Sequence, residues 1–199
     1  MKIRIRYNSP VILSFALACA LVLLIDQLTG GTFIRTFFML TPTFNVRSLL
    51  SWLRLFTYVI GHQSWAHLIS NFSFILLIGP VLEEKYGSLS LLAMMLVTAL
   101  ATAILNLLIV HTGLYGASGI VFMLILLSSF TNIRQGEIPI TLVLIVALYV
   151  VREFVNALAP DSISQLAHIA GGLIGGLFGF VFARVKKPAL PAPEPDTKE

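Results

Sequence analysis

Charge is what this sequence has least of. Only 11% of its 199 residues are Asp, Glu, Lys or Arg, against roughly 25% in an ordinary soluble domain. That shortage excludes a chain whose whole surface is solvated. Cysteine is rarer still. The single one, Cys19, lies inside an apolar run, so no intramolecular disulfide can form. It reads as a small residue facing lipid or a neighbouring helix. The net charge of +4 does not point to nucleic acid, because the basic residues stand at the ends of apolar runs. What the chain does have is apolar surface: 57% of its residues are hydrophobic, and its mean hydropathy is +0.93. Several apolar runs reach the ~20 residues that cross a bilayer. The class is a polytopic all-α membrane protein.

Six spans can be drawn: Val11–Ile25, Ala66–Leu82, Leu89–Val110, Ser118–Asn132, Ile138–Val151 and Gln165–Val185. The fourth and fifth are short, which suits helices packed among neighbours or a locally thin bilayer. Lys2, Arg4 and Arg6 before the first run imitate a signal peptide. Asp26-Gln27-Leu28-Thr29 offers no small-residue cleavage site, so a retained helix is expected. With six spans, nine of the 13 basic residues fall on the side of the termini and four (Arg35, Arg47, Arg54 and Arg152) on the other. The positive-inside rule therefore expects cytoplasmic termini.

The connection from Gln27 to Trp65 is long and rich in Phe, Leu and Trp, with scattered Arg. It reads as short amphipathic pieces lying in the interface, and loops of that length are usually functional. Between the second and third spans, Gly79-Pro80 and Glu83 to Gly87 read as a charged helix end with a glycine stop. The bilayer-embedded domain is expected over residues 1–187. The Pro-rich residues 188–199 are expected to form a disordered cytoplasmic tail.

Polar residues at membrane depth cost about 2.5–3.5 kcal/mol each for ionisable groups and are functional candidates by default. Few occur here: His67 and Asn71 on the second span, Asn106 on the third, Ser118 opening the fourth and His168 on the sixth. His67 and Asn71 are four apart and share a helix face. Together with Ser118 and His168 they lie at one depth, below the surface opposite the termini. Beyond His168, glycines recur at Gly171, Gly172, Gly175, Gly176 and Gly179. Such a stripe lets another helix approach closely. If that helix is the fourth span, His168 comes within reach of Ser118.

A serine beside a histidine is an activated nucleophile. The spans hold no carboxylate at that depth to orient the imidazole, so a Ser–His dyad is the natural form. His67, Asn71 and the backbone N–H of Ser118 then offer donors to an oxyanion. Gly116 and Gly119 leave room for a substrate backbone. Structural readings stand beside these. Gly116-Ala117-Ser118-Gly119 can be a packing motif, His67 and Asn71 can cap the second span, and His168 can bond between helices. His62 and His111 read as surface histidines. No HExxH or carboxylate ligand set accompanies the four histidines, so neither a metal nor a cofactor is expected.

These residues resemble the rhomboid family of intramembrane serine proteases. GASG around Ser118 is similar to the family's G-x-S-G motif, and His67-Leu-Ile-Ser-Asn71 to its H-x-x-x-N. Ala167-His168-Ile-Ala-Gly171-Gly172 is similar to A-H-x-x-G-G, and Gly79 through Gly87, with Glu83 at the acidic position, to G-x-x-x-E-x-x-x-G. The resemblance implies a six-helix bundle with a half-submerged loop between helices 1 and 2. It implies Ser118 as nucleophile, His168 as base, and His67, Asn71 and the Ser118 amide as oxyanion hole. Its implied partners are transmembrane protein substrates in the lipid bilayer, cleaved near the outer end of their helix, and its oligomeric state is open. An inner bacterial membrane is the expected location. Two departures stand out: Trp52 and Arg54 are separated by Leu53 where the family commonly has them adjacent, and Phe122 replaces a tyrosine that packs on the catalytic histidine. Two other functions share these residues, a non-catalytic relative that binds client helices and a proton or ion pathway. The pathway would want buried carboxylates that the spans lack.

Overall fold

A computed structural model describes residues 7–130 and eleven single positions between 140 and 181, Gly172 among them. The fifth and sixth spans therefore lie largely outside the described residues, as do His168, the other glycines of its stripe and the C-terminal tail. The described part is helical, apart from one isolated bridge between Leu40 and Leu114.

Helix α1 covers Pro10–Leu28 and α2 Phe33–Phe37. Helix α3 covers Leu49–Thr57 and runs into a 3-10 turn at Tyr58–Ile60. Helix α4 is Trp65–Tyr86, and α5 is Ser88–Leu105 with a π-helical last turn at Asn106–Val110. Helix α6 is Ser118–Phe130. Among the described residues, three stretches are long and apolar enough to cross a membrane: Pro10–Leu28, Trp65–Tyr86 and Ser88–Val110. The long connection after the first span contains the helical pieces α2, α3 and the 3-10 turn.

Local chemistry sets the ends of these helices. Proline opens α1, where its missing N–H and fixed φ cost nothing. Ser64 caps α4, its hydroxyl accepting the N–H of His67 at 3.2 Å. Capping is thus done without the His67 or Asn71 side chains. Helix α4 continues past Leu82, through Pro80, to Tyr86, and Gly87 ends it at φ 82°.

The glycine stop is present, but the charged end is not solvated at Glu83. That residue is 3% exposed. Its carboxylate accepts the N–H groups of Val11 at 2.9 Å and Ile12 at 3.0 Å, and the Ser88 hydroxyl at 2.7 Å. The Ser9 side chain makes no capping bond to α1. Glu83 therefore caps α1 from another helix, satisfying two otherwise orphaned donors where the helix dipole favours negative charge. One turn earlier, a Cβ on Gly79 would lie 2.6 Å from Ile12 Cδ1, so only glycine lets α1 come this close.

Helix α1 packs on α4, α4 on α6, and α3 and α6 on α5. Helix α6 is the centre of this arrangement, with every residue from Ile120 to Leu127 buried. A helix that is apolar all round belongs inside a bundle. That explains why the fourth span is short: neighbouring helices, rather than lipid, surround it.

Candidate active site

The segment leading into α6 is held at four points. Asn106 Nδ2 donates to the Thr112 carbonyl at 2.7 Å, fixing the turn after the π-helix. Leu114 exchanges two backbone hydrogen bonds with Leu40, at 2.9 and 3.0 Å. The N–H of Gly116 donates to the Tyr58 carbonyl at 3.1 Å, and the Tyr58 hydroxyl in turn donates to the Ala99 carbonyl at 3.2 Å. The fourth point is His67. A Cβ on Gly116 would stand 2.9 Å from His67 Cε1 and 3.1 Å from Nε2. Gly116 also sits at φ 115°, where side chains are strained. Glycine is required here twice over, by conformation and by contact.

Ser118, the first residue of α6, is 6% exposed. The imidazole of His67 therefore lies against the backbone two residues before the serine. Asn71, on the same face of α4 as His67, is 1% exposed. Its Nδ2 is 3.1 Å from Nε2 of His62, whose Nδ1 is 3.1 Å from the Ile60 carbonyl.

His62 departs from the sequence expectation. It is not a surface histidine; it is fully buried. Its ring stands edge-on to His67 at 5.2 Å and against Phe72 at 5.9 Å. Burial, reinforced by the nearby His67 and only partly offset by the Ile60 carbonyl, lowers its pKa to about 3. His111, by contrast, is exposed at the end of the π-helix, in a left-handed conformation at φ 56°. Beside His62 lies a cavity of about 140 Å3 lined by Asp26, Arg35, Gln63 and Tyr115 among others. Among the described residues, no three of His, Cys, Asp and Glu stand together as a metal site.

One described residue of the sixth span reaches this centre. Gly172 is buried, and a Cβ on it would lie 2.5 Å from Phe122 Cδ1 and 2.8 Å from its Cβ. The close approach expected of the glycine stripe is present here, and its partner is the fourth span. Phe122 is four residues beyond Ser118, on the same face of α6. The structure thus sets His67 against Gly116, two residues before Ser118, and Gly172 against Phe122, four residues after it, while Asn71 meets His62 beside His67. His168 lies outside the described residues.

The family model of the Rhomboid domain matches residues 50–185 of the chain. The chain belongs to the rhomboid family. Among curated proteins it is 22% identical over 193 residues to the "Rhomboid protease GlpG" of Haemophilus influenzae, covering 96% of this chain and 100% of that protein. It is 26% identical over 156 residues to "Rhomboid-like protein 11, chloroplastic" of Arabidopsis thaliana, covering 70% of this chain and 56% of that one. This rhomboid is a membrane protein by family and by its apolar helices.

The split Trp–Arg pair has defined surroundings. The Trp52 indole N–H donates to the Val46 carbonyl at 3.1 Å and its ring meets Phe44 edge-on, while Arg54 donates to the Thr36 carbonyl. Splitting the pair has left each side chain with its own partner in the long connection. Sequence reasoning missed His62, Tyr58, Leu40 and the role of Asn106. Two left a signal: Asn106, as a polar amide in an apolar span, and His62, as one of few histidines, five residues before His67.

Proposed function

We propose that this rhomboid is an intramembrane serine endopeptidase that cleaves transmembrane proteins near the outer end of their helix through a Ser118–His168 dyad. The observation that carries the reading is the contact of Gly172 with Phe122. Ser118 precedes Phe122 by four residues, and His168 precedes Gly172 by four. If the two spans run in the same direction, as the six-span topology expects, that contact supports a serine and a histidine one turn away from it. The His67 imidazole against Gly116 supports the same centre from α4.

The chemistry follows from these groups. Ser118 Oγ attacks the scissile carbonyl as His168 takes its proton. The oxyanion is received by the His67 ring N–H, Asn71 Nδ2–H and the Ser118 amide. His168 then returns its proton to the leaving amine, and water, activated by the same imidazole, releases the acyl group. No metal or cofactor enters. Gly119 admits the substrate strand, while Gly116 makes way for the His67 imidazole. The domain is residues 1–187, a six-span bundle with an interfacial loop between its first two spans, followed by a tail at 188–199. Both termini are cytoplasmic. The likeness to a Haemophilus influenzae protein along its whole length supports a bacterial inner membrane.

The test is cleavage of a reporter transmembrane substrate, with fluorophosphonate labelling, by wild type and Ser118→Ala side by side. Wild type is expected to cleave and label, and Ser118→Ala to do neither. Labelling that survives the substitution sinks the dyad, whereas client binding without cleavage in both forms identifies a non-catalytic relative.

A further inference from the structure

We infer that His62 is a positioning residue that sets the direction of the Asn71 amide, and through it the oxyanion site. This rests on the proposed function. The Ile60 carbonyl oxygen only accepts, so the 3.1 Å contact between it and His62 Nδ1 puts the ring proton on Nδ1. A neutral imidazole then has a bare Nε2, which accepts. The group opposite, at 3.1 Å, has to be an N–H, which assigns the Asn71 amide with Nδ2 toward His62. One Nδ2–H is used there. The second projects from the same nitrogen and is the one left for a developing oxyanion.

Reversal of the amide would set Asn71 Oδ1 against the bare Nε2, lone pair against lone pair, in a site without exposure. That arrangement costs a buried polar pair its hydrogen bond, so the flipped state is suppressed. The device works only while His62 is neutral, since a protonated ring would present N–H to N–H. The groups around it are His67 at 5.2 Å and, at the rim of the adjoining cavity, Asp26, Arg35 and Tyr115. Burial keeps the ring neutral well below physiological pH.

A double-mutant cycle on the full chain tests this. His62→Leu is expected to lower kcat by roughly 10–100-fold, the size of losing an orienting partner, with KM unchanged. In an Asn71→Ala background it should add less than about twofold, because its effect runs through Asn71. His62→Gln, which can accept from Asn71 and donate to Ile60, should recover most of kcat. An equal loss in both backgrounds, a change in KM alone, or no rescue by Gln overturns the inference. Nitrogen NMR of the wild type gives a readout independent of activity. A proton on His62 Nδ1 and a bare Nε2 are expected, with the Asn71 side-chain amide protons in two distinct environments. A protonated Nε2 overturns the inference even if His62→Leu fails to fold. Correct NMR signals in a chain that neither cleaves nor labels would refute the proposed function and, with it, the catalytic part of this role.

Discussion

Helix α4 carries a buried polar side chain near each end, and the two are held in opposite ways. At the C-terminal end, Glu83 is closed off: its carboxylate is filled by two backbone N–H groups of α1 and a serine hydroxyl. At the N-terminal end, Asn71 gives one amide N–H to His62, and its neighbour His67 rests on the backbone leading to Ser118. Both residues are almost completely buried, so burial does not separate structure from function. The direction of the donors does. Glu83 is an acceptor consumed by the fold, while Asn71 gives one amide N–H to His62 and, on the proposed reading, keeps the other for an oxyanion.

The two ends should therefore fail differently. Asn71→Ala is expected to reduce kcat by on the order of 10²–10³, as for the loss of an oxyanion donor, while the thermal midpoint moves little. Glu83→Ala should do the reverse. It strips three hydrogen bonds from an ionised acceptor and leaves the α1 N-terminus uncapped. At 1.5–3 kcal/mol per charged bond, partly regained through water, the loss is on the order of 3 kcal/mol. Turnover per folded molecule should stay near wild type. Thermal unfolding in detergent, alongside single-turnover cleavage, reads both. If Glu83→Ala damages turnover as much as Asn71→Ala does, the distinction between the two ends collapses.

A smaller effect is expected where α6 meets the sixth span. Gly172→Ala places a methyl group 2.5 Å from Phe122 Cδ1. Overpacking of that kind costs about 1–3 kcal/mol, and it should also push the sixth span away from Ser118. Phe122→Leu in the same chain should recover part of both losses, since contacting residues couple. Equal activity in wild type and Gly172→Ala would count against the proposed dyad, whose support is this contact.

How much of this was legible beforehand differs between the same two ends. Apolar runs gave the spans, and α1, α4, α5 and α6 fall on the first four. At the serine, His67 and Asn71 could be found because a polar residue in an apolar run is costly and so conspicuous. Their α-helical spacing then predicts a shared face. At Glu83 the same logic misleads, because a carboxylate beside Glu84 and Lys85 looks like an ordinary charged helix end. Two of its three partners are backbone N–H groups more than 70 residues earlier, and a backbone donor carries no residue-specific signal. The Leu40–Leu114 bridge and the Gly116–Tyr58 bond were hidden for the same reason. His62 stood in a loop, where a histidine is usually solvated, and only tertiary packing buries it.

His62 also supplies the finest test of the contrast, through pH. Its pKa falls from 6.5 to about 3 on burial, so between those values the unfolded chain binds a proton that the folded chain refuses. Folding is then opposed by acid. The stability tied to the neutral ring is present in full above pH 6.5 and is lost as pH falls toward 3, at up to about 1.4 kcal/mol per unit. Wild type taken from about pH 7.5 to about pH 4.5 should lose more thermal stability than His62→Gln, which has no proton to refuse. Glutamine keeps both hydrogen bonds, so the two proteins should match at the higher pH and separate only below 6.5. Parallel decline of the two curves would mean that His62 is solvated or charged in the folded protein. The bare Nε2 that directs Asn71 would then not exist, and the N-terminal end of α4 would lose the asymmetry that distinguishes it from Glu83.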